Sequence, residues 1–168
     1  MKKFIGVSLA ALLAMTGCKQ KPQAEISPEV RAQAAQFASE GEFSTQVRDY
    51  AAAEQSLLKA VQLDPVTPRY WKELGAVRKH LGNTSGARDA YQKSYDLLED
   101  ARKKGSVSGG LILGEVETLV LMGKNEDAKD VLQKAAKEYP KDETLRQMID
   151  NKIVDKMAAD PTIKASIL

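Results

Sequence analysis

The 168-residue chain holds one cysteine and one histidine, and only 5% of its residues are aromatic. A lone cysteine cannot close an intramolecular disulfide, so packing must hold the fold. A lone histidine, His80 beside Lys79 near a helix end, excludes the histidine clusters of most transition-metal sites and is expected at the surface. No P-loop, dinucleotide fingerprint, H-E-x-x-H or cysteine cluster occurs. Gly109-Gly110 lacks the flanking strand and lysine of a phosphate loop, and reads as a flexible break. Glu115 and Glu117 are two residues apart on a helical stretch, so they point in different directions and are expected in solvent. No constellation for catalysis, a metal or a cofactor is present, and the chain reads as a non-enzyme. An excess of one charge is missing as well. Lys and Arg number 25 against 23 Asp and Glu, which gives no electrostatic footprint for nucleic acid. No convincing strand pattern occurs.

What is present begins at the N-terminus. Lys2 and Lys3 precede an apolar run from Phe4 to Met15. That run is short of the ~20 residues a bilayer-spanning helix needs, and fits a cleaved secretory signal. It ends in Leu13-Ala14-Met15-Thr16-Gly17 before Cys18. This segment resembles the lipobox of bacterial lipoproteins, with Met15 where Leu is commonest. The resemblance implies cleavage after Gly17, a covalent lipid on Cys18, and membrane attachment through that lipid with no inserted protein segment. In a Gram-negative cell, Lys19 after the cysteine implies the outer membrane, facing the periplasm, because the family's inner-membrane retention signal is Asp there. Residues 1–17 carry only Lys2 and Lys3 among charged side chains, so the processed chain has 23 basic and 23 acidic residues. Residues 18–26, with Pro22, read as the lipidated cysteine and a flexible tether.

The second feature is an internal repeat. Phe37, Gly41, Ala53, Leu57 and Ala60 recur as Trp71, Gly75, Ala87, Tyr91 and Ser94, every pair separated by 34 residues. Trp71-Lys72-Glu73-Leu74-Gly75 resembles the W-x2-L-G opening of tetratricopeptide repeats, and Pro65 stands where such a repeat ends. Arg78 replaces the family's tyrosine. The pattern also has a physical reading. A glycine on one helix and an alanine twelve residues later let two helices approach closely, while Trp71 and Tyr91 fill the remaining space. A third copy is displaced by 41: Gly82, Ala87, Tyr91 and Ser94 reappear as Gly123, Ala128, Leu132 and Ala135, ending at Pro140. The seven added residues equal about two helical turns and are assigned to a longer helix through Tyr95–Lys104, before a break at 105–110. Val116 then occupies the expected glycine position, with Gly114 two residues earlier.

The expected architecture is all-α: a tetratricopeptide-type solenoid of antiparallel hairpins over 27–140, in three repeats of about 34–66, 68–101 and 109–141. Residues 142–168 form a capping helix and tail. Ser27-Pro28, Thr67-Pro68, Asn125 and Asp142 read as helix starts, and Gly82, Gly105 and Gly123 as stops. Leu145, Met148, Ile149, Ile153 and Met157 make one apolar face, expected on a single terminal helix covering the last repeat.

By resemblance to the family, the first helix of each repeat lines a concave binding groove. In the second repeat those positions are Arg69, Lys72, Ala76 and Lys79, a basic stripe expected in solvent and suited to a carboxylate or acidic segment. Ala38 and Glu42 stand where the family's carboxylate clamp has Lys and Asn, so a cytosolic chaperone-tail receptor is not implied. The third repeat's first helix, Leu111–Met122, is apolar nearly all round and must be covered on more than one side. Leu113, Val120 and Leu121 are expected toward the groove, covered by a partner or by the tail residues Ile163, Ile167 and Leu168. These features describe a lipid-anchored scaffold or adaptor that binds a protein or peptide in cell-envelope assembly. The alternative is a periplasmic chaperone or a regulatory subunit of an envelope enzyme.

Overall fold

A computed structural model describes residues 26–168 as helices joined by short turns. The expected signal segment at 1–17, the expected lipid site Cys18 and most of the expected tether lie outside the described residues. The helices are α1 (Pro28–Gln46), α2 (Tyr50–Leu63), α3 (Pro68–His80), α4 (Thr84–Lys103), α5 (Gly109–Leu121), α6 (Asn125–Glu138), α7 (Glu143–Asp150), α8 (Ile153–Ala159) and α9 (Pro161–Lys164). Among the described residues there is no strand.

Local chemistry sets most of these boundaries. Ser27, Asp49, Asn83, Ser108 and Asp142 turn side-chain oxygens onto main-chain N–H groups of the first turns of α1, α2, α4, α5 and α7. Thr67 behaves differently. Its hydroxyl donates to Asp64 Oδ2 at 2.7 Å, so it ties the α2–α3 loop and leaves the first turn of α3 without a side-chain cap. Asn125, expected as a cap, lies inside α6, and Lys124 is the N-cap.

The reason is the turn that joins α1 to α2, α3 to α4 and α5 to α6; the same closure also ends α4, where Gly105 has a φ of 89° and the Ser106 N–H donates to Ala101 O. Arg48, Gly82 and Gly123 have left-handed backbones, with φ of 61°, 80° and 74°. The next residue in each case donates its N–H back to the preceding helix: Asp49 to Ser44, Asn83 to Arg78, Lys124 to Leu119. This is the six-to-one bond of a Schellman closure. Once Gly123 takes the left-handed position, the cap must fall on residue 124.

Packing is pairwise. α1 packs on α2, α3 on α4 and α5 on α6, and each pair also touches the next through α2–α3 and α4–α5. Close approach in the first two pairs depends on missing side chains. A Cβ added at Gly41 would lie 2.7 Å from Leu57 Cγ, and one at Gly75 would lie 2.5 Å from Tyr91 Cδ1 and Cε1. The same contact thus recurs 34 residues along. Ala53, Ala60 and Leu74 are fully buried in the first cluster and Ala87 in an adjoining one, while Phe37 and Trp71 pack at the first cluster's edge. Trp71 is therefore not a fully buried filler. Its indole N–H donates to Pro65 O at 2.8 Å, and the neighbouring Tyr70 takes the buried place. Arg78 bridges three helices by donating to Glu54 Oε1 at 2.9 Å and Gly86 O at 3.3 Å.

The third pair is built differently. Val116 is fully buried facing α6, where Ala128, Leu132 and Ala135 are buried, and Gly114 faces Leu98 of α4. Pro140 is exposed just past the end of α6. The two extra turns of α4 carry Arg102 over α5, where its Nε donates to both Glu115 oxygens at 3.0 and 3.1 Å. Glu115 is fully buried, contrary to the solvent position expected from the sequence. A buried carboxylate is tolerated when a cation satisfies it, and the longer α4 supplies that cation. Burial still pushes its carboxyl upward, opposed by the Arg102 hydrogen bond.

The expected single terminal helix is instead three short ones. Asn151 caps α7, and Lys152 takes a left-handed φ of 50° before α8. The break lets α8 contact both α5 and α6 and buries Val154 beside Leu145. A straight continuation would carry α8 off that surface. Ile149, expected on the covering face, stays 38% exposed.

Candidate functional site

The exposed edges of α1, α3 and α5 leave two clefts. The first lies between α1 and α3, measures about 270 Å³, and is lined by Glu42, Thr45, Gln46, Leu57, Glu73 and Ala76. The second lies between α3 and α5, measures about 290 Å³, and has Arg69, Lys72 and Glu117 at the same cleft as Leu98, Leu113 and Gly114. Small residues make this space: with only hydrogen at Gly110 and Gly114, α5 presents little bulk where it passes the start of α3.

The structure brings Arg69, Lys72 and Leu113 together and puts Ala76 in the neighbouring cleft. Lys79 is partly buried in the last turn of α3 and lines neither cleft. Val120 is wholly buried in the core of the third pair and is not available to a ligand. Leu121 is also buried, because the C-terminal tail lies over it: the Leu168 N–H donates to Leu121 O at 3.0 Å. The tail, rather than a partner, covers that end of α5.

The basic stripe is also not the open charge expected. Lys72 Nζ lies 2.6 Å from Glu117 Oε2 across the second cleft. Arg69 contacts Glu42 of α1 and lies 3.0 Å from Glu73 Oε1 one turn along. Lys72 is only 22% exposed, so it is not free in solvent. Carboxylates on the neighbouring first helices neutralise the stripe. The repeat itself contains the signal for them: residues 42, 76 and 117 occupy one position in successive copies, and two of the three are glutamates. Carrying the groove positions onto all three copies puts Glu42 and Glu117 on that face, while which cation each meets depends on how the hairpins stack. Glu73 is not at such a position and was missed for that reason.

Glu73 is the most perturbed acid in these clefts. Burial pushes its carboxyl up to about 7; Arg69 opposes the rise and the charge of Glu42 adds to it. Its Oε2 is buried without a hydrogen-bond partner. The first cleft therefore carries a carboxyl that exchanges a proton near neutrality. The second carries an ion pair over an aliphatic floor. The second suits contact with a peptide-like ligand: apolar side chains on Leu98 and Leu113, and polar groups at the half-buried Lys72–Glu117 pair.

Among the described residues, no three His, Cys, Asp or Glu side chains converge as a metal-ligand set. No helix among them is long and apolar enough to cross a membrane. A scan against protein-family models finds no match, and a comparison with curated proteins finds none significantly similar.

Proposed function

We propose that this chain is a lipid-anchored tetratricopeptide-type scaffold that binds a protein segment in the cell envelope. The observation that carries this reading is the contact repeated at 34 residues, Gly41 on Leu57 and Gly75 on Tyr91. Such repetition is the signature of stacked helical hairpins, whose surfaces serve as extended binding platforms. The two clefts along α1, α3 and α5 lie where that family binds peptides, which supports Leu113 and the Lys72–Glu117 pair as contact points. Tethering rests on the lipobox-like segment before Cys18.

Recovery of partners from detergent-solubilised membranes tests the binding role. The full chain should capture a stoichiometric envelope protein, and Leu113→Gln should lose it while melting as the native chain does. Equal recovery by both would exclude the α3–α5 cleft. A set of many substoichiometric clients would replace the adaptor with a chaperone. Cys18→Ser tests the anchor independently: membrane fractionation should move the chain to the soluble fraction. Undiminished membrane association would refute lipid attachment.

A further inference from the structure

The last eight residues form a strap over the ends of α3 and α5, away from the clefts. It begins at Asp160, whose Oδ1 accepts from Thr162 N and Ile163 N at 2.8 and 3.1 Å and starts the single turn of α9. The chain then returns to the body. The Tyr91 hydroxyl donates to Ser166 O at 2.8 Å, and the Leu168 N–H donates to Leu121 O at 3.0 Å. Ser166 Oγ lies 3.4 Å from His80 Nε2, and the His80 ring is stacked on Tyr50 at 4.5 Å. Ile163 and Leu168 pack on Ala87, Tyr91, Leu121 and Met122.

Three properties distinguish this contact from ordinary core. First, its two best hydrogen bonds engage the strap's main chain, at Ser166 O and Leu168 N, so they do not depend on one particular sequence. Second, side-chain selectivity rests on three apolar anchors, Ile163, Ile167 and Leu168, while Thr162, Lys164 and Ala165 face solvent. Third, the strap's main-chain bonds are local, Lys164 N–H to Asp160 O and Ala165 N–H to Pro161 O among them, apart from Leu168 N–H to Leu121 O, so it can leave at the Asp160-Pro161 joint without breaking the hydrogen bonds within α5 or α6. What it would uncover is apolar: Leu121 and Met122 are 6% and 8% exposed beneath it, beside the buried ring of Tyr91.

We propose that residues 161–168 are a displaceable latch seated in a peptide-binding site formed by Tyr91, Leu121, Met122 and His80. The ligand is a protein segment of the strap's own form, a helical turn with apolar side chains in the places of Ile163, Ile167 and Leu168 and main-chain groups for Tyr91 and Leu121. Strap and partner segment compete for one site, so the tethered strap sets a threshold for binding. The inference rests on the chain's being a protein-binding scaffold but concerns a site separate from the Leu113 cleft.

The test uses the full-length chain and its Ile163→Asp/Ile167→Asp/Leu168→Asp variant, in which the strap remains attached but loses its three anchors. The probe is a fluorescent synthetic peptide with the sequence of residues 161–168, and a scrambled peptide is the control. A tethered segment competes at an effective concentration of order millimolar. Fluorescence anisotropy should therefore show saturable binding to the variant at least tenfold tighter than to the native chain, and adding Leu121→Asp should remove it. No binding to a cooperatively melting variant, or equal binding to both chains, overturns the latch. If the variant does not melt cooperatively, hydrogen exchange of the native chain decides. The Leu168 amide should exchange at least a hundredfold faster than the α5 amides, through an opening that leaves α5 protected. Exchange of Leu168 together with α5 would make the strap core and overturn the proposal. Failure here alongside loss of partner in Leu113→Gln would leave the scaffold reading intact, and the reverse result would leave the latch intact.

Discussion

Gly75→Ala separates close helix packing from helix propensity, because the two effects have opposite signs. In an unconstrained helix, replacing Gly by Ala stabilises by about 0.8–1 kcal/mol. At Gly75 the new Cβ would lie 2.5 Å from Tyr91 Cδ1 and Cε1 and 3.1 Å from Cγ. Ordinary carbon contacts are ~3.5–4.0 Å, so α3 and the ring must separate by about 1 Å. The ring has nowhere to go. Tyr91 is fully buried and its hydroxyl is held on Ser166 O. Overpacking of this kind costs about 1–3 kcal/mol, and weakening the tyrosine hydrogen bond adds about 1 kcal/mol. Net destabilisation should be about 1–3 kcal/mol, read as a lower urea midpoint at unchanged slope and a Tm lowered by roughly 2–4 °C per kcal/mol. Gly41→Ala should cost less, since it meets the flexible Leu57. Gly110→Ala is the control, because only Ser108 Oγ, at 3.9 Å, lies within 4 Å of its added Cβ. A midpoint for Gly75→Ala equal to or above the native value would refute close packing of α3 on α4.

Three further outcomes follow from the same contacts. Arg102→Ala leaves Glu115 buried without its cation and should cost about 3 kcal/mol in chemical denaturation, much of it recovered by adding Glu115→Met. Glu73→Gln should change the pH dependence of unfolding: a carboxyl raised in the fold to about 7 gives stability that is full below its unfolded value of 4.5 and lost as pH rises through 7. The variant should thus be about 1–3 kcal/mol more stable than the native chain at pH 8 and indistinguishable at pH 4, with equal slopes between those values refuting the shift. Arg48→Gly should raise stability by about 0.5–1 kcal/mol by relieving a left-handed backbone, while Gly82→Ala should lower it by about 1 kcal/mol; thermal melts check both.

Short-range physics determined what the sequence alone could show. The starts at Ser27 and Asp142, the stops at Gly82, Gly105 and Gly123, and the long α4 depend on residues within a few positions of one another, so their chemistry is legible in order along the chain. The 34-residue spacing also showed that a close glycine contact would repeat, because the same local pattern occurs twice; that the glycines meet Leu57 and Tyr91 rather than the expected Ala53 and Ala87 side chains was decided by the packing. Arg48 concealed a third instance of the turn, since the repeat there is carried by backbone conformation rather than by residue identity. Tertiary structure alone decided which charges meet. Lys72 finds Glu117 across 45 positions and Arg69 finds Glu42 across 27, distances over which no helical period applies. The same holds for burial. Glu115 and Val120 are ordinary helix residues in the sequence; they become core because the extra turns of α4 lie on one and the third pair closes round the other. The capping segment was legible as apolar, but its break at Lys152 depends on where α5 and α6 leave a surface to cover. The return of Leu168 to Leu121 is likewise a matter of distant segments meeting in space: main-chain groups make that bond, and every residue carries them.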